Sequence, residues 1–283
     1  MPKVWSAQEE RKQREEQKLI ASKELSSYVG KLKLLRPVFF VPGWTDEFNE
    51  CWTSPYLTSY VPIKRYVTRL FSNYDQAFFI TFSLKESKAC KSFIDFGVLL
   101  KEKIRKQAPK NGFDLVGHSM GGLDSIAAIT NEQDPLAGVI NLITAATPHR
   151  GSEWGEMCLN HDISNWRKLK PHQVFQGVNL DPDQHPIQQI NTVQNRQKLI
   201  NSLNKMYCLG GTRDMAVFGS SKFNVNGLTD VQKAKVDILE PYGGAQHSET
   251  WGITQDPRAM RDIVRMLVSI PLEKPKMNEG IVS

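Results

Sequence analysis

The chain has 283 residues, of which 40% are hydrophobic, and this suits one large α/β domain or two smaller ones. Its net charge of +6 is uneven, because residues 1–36 contribute +4 and the rest of the chain only +2. Basic and aromatic residues form no cluster beyond that segment, so the composition argues against nucleic-acid binding. No run approaches the roughly 20 apolar residues of a transmembrane span. The sequence therefore predicts no transmembrane segment, although peripheral contact with lipid stays open.

The N-terminus carries no signal-peptide pattern, because charged residues follow almost at once after Met1. A cytoplasmic location is expected on that basis, with secretion left open if a leader has been removed. Four cysteines are widely spaced and form no C-x-x-C pair, which favours free thiols over a zinc site or a disulfide scaffold. The sequence leaves the oligomeric state open.

Helix and strand patterns alternate along most of the chain. An exposed helix within 6–33 is followed by a strand at 37–41, a helix at 63–71, a strand at 76–82, a helix at 93–106, a strand at 113–116, a helix after residue 119, strands at 139–145, 205–209 and 235–239, and a helix at 257–269. This order implies right-handed crossovers and a mostly parallel central sheet with helices on both faces. Active sites in such sheets lie at the carboxyl ends of the strands.

One long stretch, 152–204, interrupts the alternation with polar residues and prolines. It is too long for an ordinary loop and is predicted to be a helical cap or lid, with a short helix at 193–203. The predicted organisation is therefore an N-terminal helical appendage (1–36), a core (37–151 and 205–272), the cap (152–204) and a C-terminal tail (273–283).

The pattern G-x-S-x-G occurs at 117–121, between the predicted strand at 113–116 and an apolar, helix-like segment. This arrangement is typical of a nucleophile elbow, a sharp strand-to-helix turn that presents a serine. A Cβ atom in this turn would collide with the neighbouring backbone, and the glycines at 117, 121 and 122 have none. The pattern predicts that Ser119 is a nucleophile at a helix N-terminus, and the alternative is a structural turn.

A serine nucleophile needs a base within hydrogen-bond reach, and histidine is suited to that role. His247 lies in a glycine-rich loop after the last predicted strand, so we expect it at the carboxyl edge of the sheet. His118 is locked within the elbow, and the three histidines at 161, 172 and 185 fall in the predicted cap. His149 follows the strand next to the elbow and is predicted to line the substrate pocket. His247 is therefore the predicted base, and a structural loop histidine is the alternative.

The predicted acid is Asp214, which follows the strand at 205–209 on a tight glycine-containing turn. The order Ser119, Asp214, His247 is the order of a serine–acid–histidine triad in an α/β-hydrolase. Glu153 is the fallback acid, and a turn-capping carboxylate is the other interpretation of Asp214.

The oxyanion hole is predicted to use the backbone N–H of Met120 and one N–H from the loop after the first core strand. Gly43 in that loop lets the backbone approach a substrate and is a predicted pocket residue. The next N–H, on Trp44, is the second predicted donor.

Three segments resemble those of α/β-hydrolases, and more narrowly those of bacterial lipases and esterases: 41–44, 116–124 and 146–152. The resemblance spans about residues 37–270, except for the cap. It implies hydrolysis of carboxylic esters through an acyl-enzyme, with a cap that shapes an apolar acyl pocket and no cofactor. The chain departs from the pattern at Pro42, where many relatives have histidine, and at 215–217, where a glycine-containing turn is common.

The predicted cap contains residues whose carboxylate oxygens or imidazole nitrogens could bind a metal ion: His161, Asp162, Asp181, Asp183 and His185. Solvated polar side chains on a helical cap explain the presence of these residues equally well. No functional metal is therefore expected. The sequence predicts an esterase or lipase acting on a small-molecule or lipid ester. An acyltransferase with the same triad and a non-catalytic binding protein of the same fold are the alternatives.

Overall fold

A computed structural model describes residues 7–43, 63–90, 92–107, 111–152, 186–214, 217, 221–239, 241–246 and 252–272. The strands are β1 (Val38–Val41), β2 (Ala77–Phe79), β3 (Phe113–His118), β4 (Val139–Ala145), β5 (Lys205–Leu209) and β6 (Val236–Ile238). The helices are α1 (Ala7–Ser27), α2 (Ile63–Leu70), α3 (Leu84–Ala89), α4 (Phe93–Arg105), α5 (Met120–Thr130), α6 (Pro186–Asn191), α7 (Val193–Ser202), α8 (Asp230–Lys233) and α9 (Pro257–Leu267).

The six strands form one sheet in the order β2-β1-β3-β4-β5-β6, and every neighbouring pair is parallel. The predicted parallel sheet is therefore confirmed. Because the strands run the same way, the segments that follow β1, β3, β4 and β5 emerge at one edge. Every predicted strand is present, and the predicted N-terminal helix ends early, at Ser27.

Both faces of the sheet are buried, which explains the nearly continuous apolar strands. Phe39 packs on the face covered by α4, α5 and α7, whereas Phe40 packs on the face covered by α1, α2 and α9. This alternation follows from the two-residue period of a strand. Each ring also stacks on the next strand, Phe39 on Phe78 and Phe40 on Phe79, with ring centroids 4.8 Å apart in both pairs. Burial of each such ring contributes about 2–3 kcal/mol.

The described end of the predicted cap contains α6 and α7. Two residues of α7, Leu199 and Ile200, are buried in the core cluster that includes α5. Lys198 also donates to the carbonyl oxygens of Thr130 and Asn131 at the end of α5, over 2.9 and 3.2 Å. Helix α7 is thus the crossover helix that parallel β4 and β5 require. Of the predicted cap (152–204), residues 153–185 lie outside the described residues, and the cap stays a prediction.

Helix α1 packs across α9 through Ala21 and Leu25, both fully buried. An ion pair between Glu24 and Arg265, 2.7 Å long, joins the two helices. The N-terminal helix is therefore attached to the core through its second half. In the described part of the chain, no helix has the length and apolar character needed to cross a bilayer.

Candidate active site

The elbow at the end of β3 has the backbone of a sharp strand-to-helix turn. Ser119 has φ 53° and ψ −126°, a conformation that costs a residue with a Cβ about 1–3 kcal/mol. Its N–H donates to the carbonyl oxygen of Ala145 over 2.9 Å, and its carbonyl oxygen accepts from the N–H of Gly122 over 3.1 Å. Helix α5 starts at the next residue, Met120. Ser119 thus lies where the dipole of α5 favours negative charge.

The glycines of the elbow are required by close backbone contacts. A Cβ on Gly117 would lie 2.7 Å from the backbone N of Gly122. A Cβ on Gly121 would overlap the carbonyl oxygen of Pro42 and lie 2.6 Å from that of Val41. Distances under about 3 Å have no counterpart between real Cβ atoms and their neighbours. The predicted steric reason for these glycines therefore holds in the structure, and the same contacts bring the end of β1 onto α5.

Gly43, which follows β1, lies directly beside the nucleophile. A Cβ on Gly43 would be 2.7 Å from the Cβ of Ser119 and 3.1 Å from the carbonyl oxygen of His118. The structure therefore brings Gly43, Ser119 and Met120 together. The N–H of Met120 is in the first turn of α5, where backbone donors have no partner within a helix. Trp44, the second predicted oxyanion donor, lies outside the described residues.

The turn after β5, residues 210–214, is called the acid turn here. Asp214 at its end is buried, and its Oδ1 accepts from the backbone N–H of Val217 over 3.0 Å. Since β4 lies between β3 and β5, the acid turn begins two strands away from the elbow, at the same edge of the sheet.

Residues 241–246 form the first arm of the loop predicted to carry the base, called the base-loop arm here. The N–H of Tyr242 donates to the carbonyl oxygen of Gly210 over 2.8 Å, and the N–H of Arg213 donates to that of Ala245 over 3.0 Å. The N–H of Gly244 reaches the hydroxyl of Thr212 over 2.8 Å. The arm therefore lies along the acid turn and ends at Gln246. His247 lies outside the described residues, one position beyond this arm.

His149, which the sequence predicts to line the substrate pocket, is fully buried. Its ring is 1% exposed, packs edge-on against Phe223 with centroids 5.5 Å apart, and has Nε2 3.0 Å from the hydroxyl of Thr144. Burial, with a smaller contribution from the charge of Arg150, lowers the pKa of this imidazole to about 3. His149 is thus held in its neutral form against β4, β5 and Phe223, and its role in a substrate pocket stays a prediction.

Sequence reasoning also missed a buried acid behind the nucleophile. Asp124 on α5 is 0% exposed, and neither carboxyl oxygen has a hydrogen-bond partner in the described ranges. Burial raises the pKa of Asp124 well above its usual range, which favours the neutral acid. An aspartate among apolar residues in the sequence was the only signal, and it does not reveal the missing partner.

The described ranges hold no group of three or more histidine, cysteine or carboxylate side chains able to bind a metal ion. The candidate ligands at 161, 162, 181, 183 and 185 lie outside those ranges. Cys90 and Cys208 are free and buried.

Comparisons with known proteins point to one fold. No protein-family model matches the chain. A segment of 55 residues, 19% of this chain, is 38% identical to Triacylglycerol lipase 2 of Saccharomyces cerevisiae, and it spans only 17% of that protein. The mature lipase BlEst2 from Bacillus licheniformis is similar in structure, with a TM-score of 0.52 and 15% identity over 84% of this chain and 95% of that chain.

A gene product of Listeria innocua is similar to the same extent, with a TM-score of 0.51 and 12% identity over 84% of this chain and 96% of that chain. Each similarity covers 84% of this chain, compared with 19% for the segment shared with the yeast lipase. With the six parallel strands and the sharp turn at Ser119, they show that this chain has the α/β-hydrolase fold.

Proposed function

We propose that this chain is a serine hydrolase that cleaves carboxylic esters through an acyl-enzyme on Ser119. The observation that carries the proposal is the strained backbone of Ser119, with Gly43 on one side and the N-terminus of α5 on the other. Strain of this kind persists only where the surrounding structure imposes it, and it is common at catalytic residues.

In the proposed reaction, Ser119 Oγ attacks the ester carbonyl carbon while its proton passes to the imidazole of His247. The carbonyl oxygen becomes an oxyanion, which the backbone N–H groups of Met120 and Trp44 bind. The C–O bond to the alcohol then breaks, and the departing alkoxide takes the proton from His247. Asp214 orients the imidazole and stabilises its charged form.

Water completes the cycle by attacking the acyl-enzyme, with His247 taking its proton. The second tetrahedral intermediate releases the carboxylic acid, and the proton returns to Ser119 Oγ. A single donor to the oxyanion contributes about 100-fold to 1000-fold in rate, so the backbone N–H groups of Met120 and Trp44 add to the contribution of the triad.

We propose an ester with an apolar acyl chain, either a small molecule or a lipid, as the substrate. The local identity to a protein named as a triacylglycerol lipase supports this choice.

A panel of p-nitrophenyl esters from acetate to palmitate, with and without detergent, tests the proposal. We expect hydrolysis by the wild-type chain and a loss of at least about 10⁴-fold in kcat for Ser119→Ala. Circular dichroism serves as the control that both proteins are folded. If the folded wild-type chain cleaves no ester, or if Ser119→Ala keeps its activity, the proposal is wrong.

A further inference from the structure

Arg258, in the first turn of α9, is a buried arginine outside the triad. Its side chain is 7% exposed and its partner Asp256 is 3% exposed. Two parallel contacts join them, Nε to Oδ1 over 3.0 Å and Nη2 to Oδ2 over 2.7 Å. Asp256 also caps α9, because its Oδ1 accepts from the backbone N–H of Arg258 over 2.9 Å. The guanidinium is therefore held in one orientation by a carboxylate that is itself fixed to the helix.

The same guanidinium binds the base-loop arm. Its Nη2 donates to the carbonyl oxygen of Gly243 over 2.8 Å. Its central carbon lies 5.8 Å from the ring centroid of Tyr242, within the range of a cation–π interaction. The hydroxyl of Tyr242 donates to Asp262, one helical turn further along α9, over 2.8 Å. Helix α9 thus holds two consecutive residues of the arm.

The opposite side of the arm lies against the acid turn. Four hydrogen bonds join the two: two backbone bonds of Tyr242, one with Gly210 and one with Thr212, and those of Gly244 with the Thr212 hydroxyl and Ala245 with Arg213. The two backbones are in close contact, because a Cβ on Gly211 would overlap the carbonyl oxygen of Ala245. A shift of the arm away from α9 would therefore change its distance to the turn that carries Asp214.

A buried ion pair is a poor source of net stability, because desolvation of two charges offsets most of their attraction. Replacement of such pairs by apolar side chains of similar volume is often neutral or stabilising in proteins. Apolar side chains would not donate to the carbonyl oxygen of Gly243. The pair therefore contributes orientation more than stability.

We propose that Arg258 is a positioning residue for the triad. By donating to Gly243, it holds the base-loop arm, which ends one position before the proposed base, against the acid turn that carries Asp214. This inference rests on the proposed serine hydrolase function.

The test removes the pair without leaving a buried charge. In the double variant Asp256→Asn with Arg258→Met, the asparagine still caps α9. The control removes the ion pair that joins α9 to α1, with Glu24→Gln and Arg265→Met, because neither of these two side chains contacts the base-loop arm. For each protein we would measure kcat and KM on one ester, the rate of labelling by a fluorophosphonate, and the urea midpoint.

We expect kcat and the labelling rate of the first double variant to fall by about tenfold or more, since misplacement of a catalytic group by 1 Å costs about 100-fold. KM should change little, and the control should keep its kcat at a similar urea midpoint. Arg258→Lys, which retains a donor and a charge, should keep more activity than the double variant.

Three results would overturn the inference: a kcat within about twofold of wild type in the first double variant, an equal loss in the control, or equal losses in Arg258→Lys and the double variant. Failure of the proposed serine hydrolase function would give a different result from failure of this inference. In that case the wild-type chain itself would neither cleave the ester nor react with the fluorophosphonate.

Discussion

The elbow around Ser119 and the base-loop arm reach the same edge of the sheet but are fixed by different interactions. At the elbow, backbone atoms approach so closely that Gly117 and Gly121 have no room for a Cβ. At the base-loop arm, hydrogen bonds from Arg258 and from the acid turn hold the backbone. The nucleophile is thus positioned by local packing and strain, and the acid–base side by polar contacts between distant segments. The two sides should fail in different ways when they are perturbed.

Gly121→Ala should have the largest effect. The new Cβ would overlap the carbonyl oxygen of Pro42, and these backbone atoms have no free side-chain rotation to relieve the overlap. We expect a loss of about 3 kcal/mol in the free energy of unfolding, at the upper end for overpacking, together with loss of esterase activity. Urea denaturation measures the free energy of unfolding.

Gly30→Ala is the control for that substitution. Gly30 has φ +68° but nothing within 4 Å of a new Cβ, so only backbone strain of about 1 kcal/mol is expected. Equal losses in the two variants would show that close packing does not position the elbow.

Between the two sides lies His149, which should make stability depend on pH. Its pKa is about 3 in the folded state and about 6.5 in the unfolded chain, so the unfolded state binds more protons between these values. The contribution of neutral, buried His149 to the free energy of unfolding is therefore complete above pH 6.5 and is lost as the pH falls toward 3. At pH 5 the loss relative to pH 7 is about 2 kcal/mol. Urea midpoints of wild type and His149→Gln at both pH values measure this loss. If the midpoint of the variant falls between pH 7 and pH 5 as much as that of wild type, His149 is not the group responsible.

Tyr242→Phe breaks one polar contact of the base-loop arm. Loss of the hydrogen bond to Asp262 should cost about 1 kcal/mol and lower kcat, because the arm loses one of its ties to α9. Tyr28→Phe is matched to it, since Tyr28 donates to Glu24 over the same 2.8 Å and does not contact the arm. A fall in kcat in both variants, or in neither, would contradict the role given to α9.

Ser119→Gly should change stability by no more than Tyr242→Phe does, but in the opposite direction. Glycine adopts φ 53° and ψ −126° without a Cβ clash, so relief of strain should raise the free energy of unfolding by about 1 kcal/mol. Ser119→Ala keeps a Cβ and should remain strained. Equal stabilities for the two variants would mean that the elbow stores no strain in Ser119.

The contrast between local packing at the elbow and long-range polar contacts at the base-loop arm also explains which features the sequence predicts. The strands, the parallel sheet and the elbow follow from apolar periodicity and from glycines at short spacing, which are local signals. The contact between Arg258 and Gly243 joins residues 15 positions apart through a backbone oxygen, which no residue type specifies. The burial of His149 depends on Phe223 and Cys208, which are distant in the sequence, so its sequence neighbours do not reveal it.

Labelling with a fluorophosphonate followed by peptide mapping tests the central claim most directly. The reagent forms a stable adduct only with a serine that is activated as a nucleophile. We predict one adduct for each wild-type chain, on Ser119, and none on Ser119→Ala. An adduct on another residue, or no adduct on the folded wild-type chain, would contradict the assignment of Ser119 as the nucleophile.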